Sequence, residues 1–180
     1  KLYGKPDTGD GATSIRQCRD GGFIVCGFTN SYGARNYDAW ILKLNAQGDL
    51  EWMRTAGGPK FDQAGCVIES STGRFLVAGE TSSFGAGYYD FYVLCYDRSG
   101  TLLWSRTYGG PSFERARAIV ETPDNDFIVA GYTSSYGQGD KDVWLVKIDP
   151  DGNRIWSQTF GGPSCDEAYA MTALSGGGFA

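Results

Sequence analysis

Apolar positions in this chain come in short runs, each closed by glycine or by a cluster of turn-forming residues. Phe127-Ile-Val-Ala-Gly131 is apolar throughout, the pattern of a strand covered on both faces, and Asp142-Val-Trp-Leu-Val-Lys-Ile148 is dominated by aliphatic, aromatic and β-branched residues. Ala116–Thr122 before them and Arg154–Gln158 after them read as two further strands. Thr122-Pro-Asp-Asn and Asp149-Pro-Asp-Gly-Asn supply turns, the second a tight hairpin. No segment carries the apolar spacing of a helix. The predicted unit is therefore four short antiparallel strands.

That unit recurs along the chain. GFTNSYG starts at Gly27, GETSSFG at Gly79 and GYTSSYG at Gly131, positions 52 apart. Trp52, Trp104 and Trp156 keep the same interval, as do Trp40, Tyr92 and Trp144, and the acids Asp38, Asp90 and Asp142. A further acidic series, Asp10, Asp62, Glu114 and Asp166, is in step, and Tyr3-Gly-Lys-Pro is a degenerate copy of the GGP segments at Gly57, Gly109 and Gly161. Four strands in such a period, repeated radially, describe a β-propeller blade, whereas a β-solenoid rung is shorter. The expected fold is all-β: blade 1 over about 10–56, blade 2 over about 62–108, blade 3 over about 114–160 and a partial blade over 161–180. Propellers close with about 4 to 8 blades. The expectation is thus a piece of a larger or oligomeric propeller, with self-association through unpaired blade edges as one route to closure.

Composition narrows the chemistry. A formal charge of −5 argues against a nucleic-acid partner, and no apolar run approaches the ~18 residues of a spanning helix, so no membrane insertion is expected. Histidine is absent, which removes the commonest general base and metal ligand; no cofactor, metal site or catalytic set is expected. The five cysteines, Cys18, Cys26, Cys66, Cys95 and Cys165, share no repeat position and no CxxC spacing, and read as small buried apolar residues.

The ordered segments Gly161-Gly-Pro-Ser-Cys-Asp-Glu-Ala-Tyr-Ala, Phe127-Ile-Val-Ala-Gly-Tyr-Thr-Ser-Ser and Asp142-Val-Trp-Leu-Val-Lys-Ile-Asp-Pro-Asp-Gly-Asn-Arg-Ile-Trp resemble the bacterial and archaeal propeller repeat called SBBP. Cys95 departs from that pattern where Lys43 and Lys147 keep it, and Asn45 departs where Asp97 and Asp149 keep it. The resemblance implies a propeller module of an extracellular or cell-surface protein and implies no enzymatic activity.

In a propeller the loops between blades and those joining second and third strands emerge on one face. That face is expected to collect Tyr32, Phe84 and Tyr136 with Phe61 and Phe113, beside serines, glycines and carboxylates. Such aromatic platforms suit a protein or glycan partner; alternatively the rings wedge between blades. The acids Asp10, Asp62, Glu114 and Asp166 either ring the channel, able to hold Ca²⁺ or hydrolyse a glycoside, or cap backbone N–H groups of the GlyGlyPro turns. Residues that break the repeat weigh more for function: Arg35 and Asn36, Glu167 and Tyr169, and above all Arg115 and Arg117, which either meet an anion in the channel or pair with Glu114 and Glu121. The GxxxW tryptophans read as interblade packing. The function expected is a binding or structural propeller module; the alternatives are a self-assembling subunit and a glycan-active propeller enzyme.

Overall fold

The computed structural model describes residues 1–6, 8–34, 36–174 and 178–180; Arg35, singled out above, lies outside the described residues. Three antiparallel sheets follow one another. The first holds β1 (Asp10–Gln17), β2 (Phe23–Thr29), β3 (Asp38–Leu44) and β4 (Leu50–Ala56). β5 (Asp62–Glu69), β6 (Phe75–Thr81), β7 (Asp90–Tyr96) and β8 (Leu102–Tyr108) make the second. The third is β9 (Glu114–Glu121), β10 (Phe127–Thr133), β11 (Asp142–Ile148) and β12 (Arg154–Phe160). Within each sheet the strands lie in chain order, so every sheet is a simple meander, and the three are not closed into a ring. These are propeller blades. Among the described residues no helix is long and apolar enough to cross a membrane.

Each blade breaks its first ladder at one place. Ala12 pairs with Gly27 and Ser14 with Cys26, leaving Thr13 unpaired; Gly65 and Arg117 are skipped in the same way in the next two blades. A bulge of this kind bends the strand and re-aims the extra side chain.

The core lies between sheets. Ile24, Cys26, Ala39 and Ile41 of the first sheet meet Phe75, Val77, Tyr92, Leu94 and Tyr96 of the second. Leu76, Ala78, Phe91 and Val93 on the second sheet's other face meet Val129, Trp144, Val146 and Ile148 of the third. β2, β3, β6, β7 and β10 are therefore buried nearly throughout, as their apolar residues require, whereas β11 alternates buried Trp144, Val146 and Ile148 with half-buried Val143, Leu145 and Lys147.

The repeating tryptophans tie one blade to the next. Trp52 packs on Phe75 and Tyr96, and its indole N–H donates to the Arg98 carbonyl at 3.1 Å; Trp104 donates to the Pro150 carbonyl at 3.0 Å. Both rings lie flat on a turn glycine of the following blade. Gly100 sits at φ 77° and a Cβ there would come within 2.7 Å of Trp52; Gly152, at φ 80°, stands in the same relation to Trp104 at 3.0 Å. Glycine here serves both the left-handed turn and the aromatic seat.

The ends of the chain repeat these contacts. The Tyr3 hydroxyl donates to the Gly48 carbonyl as the Tyr108 hydroxyl does to Gly152, the latter at 2.6 Å. Ala173 pairs with Phe179 in the register of Gln17 with Phe23, and the Leu174 N–H donates to the Gly178 carbonyl at 2.8 Å as Cys18 does to Gly22.

Candidate functional site: the loop face and the channel wall

Before each blade runs a GlyGlyPro-type turn, and the acid that follows is held by two sets of groups. Glu114, fully buried, accepts the Thr133 hydroxyl at 2.7 Å and the Gly110 N–H at 2.8 Å. Asp62, also fully buried, accepts the Thr81 and Ser83 hydroxyls, the latter at 2.6 Å, and the Gly58 N–H at 2.8 Å. At Asp10, burial pushes the carboxyl up, but the hydroxyls of Ser31, Thr29 and Thr8 outweigh it and hold the group at about 2. The second acidic series closes the loop ahead of the third strand: Asp90 accepts the Ala86 and Gly87 N–H groups at 2.9 and 3.1 Å. Burial, reinforced by the neighbouring acid of the other series, pushes Asp38 and Asp90 up. Of the two roles left open for the acidic ring, these bonds are those of capping. Among the described residues no group of three His, Cys, Asp or Glu side chains is placed to hold a metal ion.

Phe84 and Tyr136 lie against Gly58 and Gly110 in the turns that join the blades. Tyr32, Phe84 and Tyr136 each lie on the third-strand aromatic of their own blade: Tyr32 on Trp40 at 6.0 Å, Phe84 on Tyr92 at 5.8 Å and Tyr136 on Trp144 at 5.4 Å. Tyr136 also donates its hydroxyl to the Gly109 carbonyl at 2.8 Å. Phe61 and Phe113 belong to a second set of rings, absent from the sequence expectation, that runs from blade to blade: Phe28, Tyr37, Phe61, Tyr89, Phe113, with centroids 5.5 to 5.9 Å apart. It ends in Tyr88, stacked on Phe113 at 5.1 Å and 11°. Tyr88 is 67 % exposed and Phe113 39 %. The sequence marks Tyr88 by its place where another copy carries Asn36, and Tyr37 and Tyr89 share one repeat position.

Arg115 pairs with neither Glu114 nor Glu121. Glu114 is occupied by Thr133, and Glu121 accepts the Ser71 N–H and hydroxyl, both at 2.6 Å. The guanidinium reaches instead across the blade junction to Glu80, Nε to Oε2 at 2.5 Å, and lies over the Tyr89 ring at 5.3 Å. Burial pushes the Glu80 carboxyl up, against the pull of Arg115 and Arg117. The next junction carries Lys141, 2.6 Å from Glu167 and 4.4 Å from the Tyr132 ring. Arg117, on the bulge, has no carboxylate at ion-pair distance among the described residues, and its Nε is buried without a partner. It lines a cavity of about 400 Å³ bounded by the first strands of the three blades and residues 169–171.

A model of a domain of unknown function described as a beta-propeller, DUF5122, matches residues 71–102. No curated protein matches the chain in sequence. Among solved structures, one described as the eukaryotic initiation factor is similar at 12 % identity and a TM-score of 0.49, over 89 % of this chain and 35 % of that one. A protein of unknown function from Bacteroides caccae is similar at 14 % identity and a TM-score of 0.45, over 88 % of this chain and 70 % of that one. This chain thus spans about a third of the first relative. The matched segment runs from the turn before β6 through β7 to the start of β8, and with the three four-stranded meanders it makes this a β-propeller repeat protein.

Proposed function

We propose that the chain is a binding module of an extracellular or cell-surface protein, of the SBBP repeat type, that takes a glycan on its loop face. The observation that carries this reading is the Tyr88–Phe113 stack, two nearly parallel rings left partly open to solvent; Phe84 and Tyr136 on the same set of loops are 45 % and 42 % exposed. A flat apolar ring meets the C–H face of a sugar at little entropic cost, and Ser112 and Ser135 lie close by to bond hydroxyls. Catalysis is not part of the proposal, because the recurring carboxylates are already spent on threonine hydroxyls and glycine N–H groups. Placement outside the cell leans on the repeat resemblance; its test is the fate of the natural gene product in cell fractionation. The binding test is titration of the chain with soluble β-1,4-linked hexasaccharides, followed by tyrosine fluorescence and calorimetry. Saturable binding lost in Tyr88→Ala and Phe113→Ala is the expected result; no binding to any hexasaccharide, or binding unchanged in both variants, overturns it.

A second reading, assembly, rests on a different observation. The face of Val25, Trp40, Leu42 and Leu44 matches faces that the preceding sheet buries in the second and third blades, yet here it fronts a groove of about 540 Å³ lined also by Leu2–Pro6. The occupant we infer is a blade of a second copy, whose small and β-branched residues fit there as Ile24, Ala39 and Ile41 fit the second sheet. Sedimentation against concentration tests it: Leu42→Asp shifts a dimer to monomer, whereas a wild-type monomer at all concentrations refutes it.

A further inference from the structure

The wall formed by the first strands holds two arginines with no carboxylate in contact among the described residues, although Glu80 and Glu167 feel the charge of Arg117 from farther off. Arg115 is matched by Glu80 and Lys141 by Glu167. Arg117 and Arg16 line the same cavity of about 400 Å³ and neither has a carboxylate at ion-pair distance among the described residues. Among the described residues Arg16 makes one bond to protein, from Nη1 to the carbonyl of adjacent Ile15 at 3.1 Å. The Nε of Arg117 is buried with nothing to donate to. Two guanidinium groups sharing a partly enclosed space repel, and a buried donor without an acceptor costs about 1–3 kcal/mol. An anion held in that space would accept from the free donor and offset the repulsion.

The position of Arg117 sharpens this. Its counterparts on the other two bulges are Thr13, whose hydroxyl donates to the Ala64 carbonyl of the next blade at 2.7 Å, and Gly65, where a Cβ would come within 2.9 Å of the Ala116 carbonyl. Two copies thus use the bulge to draw neighbouring blades together. The third sets there a long, permanently charged fork that the ladder does not need.

We propose that Arg16 and Arg117 form a site for a small multivalent oxyanion of the phosphate class in the channel between the first strands. Arginine suits that ligand because its planar fork donates two parallel hydrogen bonds to one oxyanion. This site is on the channel wall and is independent of the aromatic loop face.

The test uses the intact chain at fixed ionic strength, titrated with inorganic phosphate, with phenyl phosphate, and with chloride as the control. The readouts are calorimetry and the arginine Nε–Hε signals in ¹⁵N NMR. Phosphate moves the Arg16 and Arg117 signals saturably and chloride does not; Arg117→Thr, which copies the residue of the first bulge, weakens binding about tenfold. Arg106→Gln, on the outer strand β8, leaves it unchanged. Phenyl phosphate binding as well marks the phosphate group of a larger ligand; phosphate alone marks the free ion. The proposal fails if no saturable shift occurs in the wild type, or if Arg117→Thr, folded by its NMR spectrum, binds as well as wild type.

Discussion

Thr133→Val tests whether the threonine of the repeated GxTxS phrase is what makes a buried acid tolerable. Valine keeps the volume and β-branching and removes only the hydroxyl. The side chain is fully buried, and that hydroxyl donates to Glu114 at 2.7 Å while accepting N–H groups from Ser135 at 3.0 Å and Tyr136 at 3.3 Å. Losing a bond to a charged group costs about 1.5–3 kcal/mol, and the half-buried Ser135 N–H adds up to about 1 more. The expected loss is about 2–4 kcal/mol. Thr29→Val supplies the internal control, because Asp10 is half-exposed and keeps the Ser31 and Thr8 hydroxyls at 2.5 and 3.0 Å; about 1 kcal/mol is expected there. Urea unfolding followed by circular dichroism, with the slope of the transition compared among variants, measures both. Equal losses in the two variants, or a loss below about 0.5 kcal/mol in Thr133→Val, would refute the reasoning.

Arg115→Met leaves the Glu80 carboxylate buried and unpaired, at a cost of about 2–3 kcal/mol near neutrality, less than a fully buried pair because Arg115 is partly exposed. With its partner gone the raised Glu80 group rises further, so stability is lost as pH climbs through the folded value and recovered below it; thermal melts at pH 4.5 and 7 check the sign. Asp10 behaves oppositely: held at about 2 against an ordinary 3.8, it contributes stability above 3.8 that disappears as pH falls through about 2, and Asp10→Asn flattens the acid limb of the melting curve. Gly100→Ala strains a left-handed turn and pushes Trp52 off its seat, with an expected loss of about 2–3 kcal/mol by chemical unfolding, whereas Gly48→Ala, with open space around it, loses about 1. Burial raises the thiols of Cys18 to about 11, Cys26 to about 12 and Cys95 to about 11, and Cys66 higher still, so at pH 8 a disulfide reagent titrates the exposed Cys165 in the native chain and all five thiols after denaturation.

The blades were legible because three copies of an apolar strand run, each bracketed by glycine turns, leave little freedom in period or strand count. Trp52 and Trp104 could be assigned to blade contacts from their interval alone, but the carbonyls they bond and the glycines beneath them belong to the following blade. The capping acids are half legible in the sequence: their bonds to Gly58 and Gly110 follow from the adjacent turn, while the hydroxyls of Thr81 and Thr133 stand on the next strand, brought close only by antiparallel pairing. Arg115 shows the same limit more sharply. Its neighbours in sequence, Glu114 and Glu121, are engaged elsewhere, and Glu80 becomes its partner only once two sheets stack.

The residue skipped by each first-strand ladder has a consequence for how such a chain diversifies. Thr13, Gly65 and Arg117 show that a hydroxyl, a bare backbone and a cation are accepted there under the same pairing. The ladder itself therefore sets no residue type there, and each copy answers to what the neighbouring blade presents: a carbonyl to Thr13, close backbone to Gly65, an open cavity to Arg117.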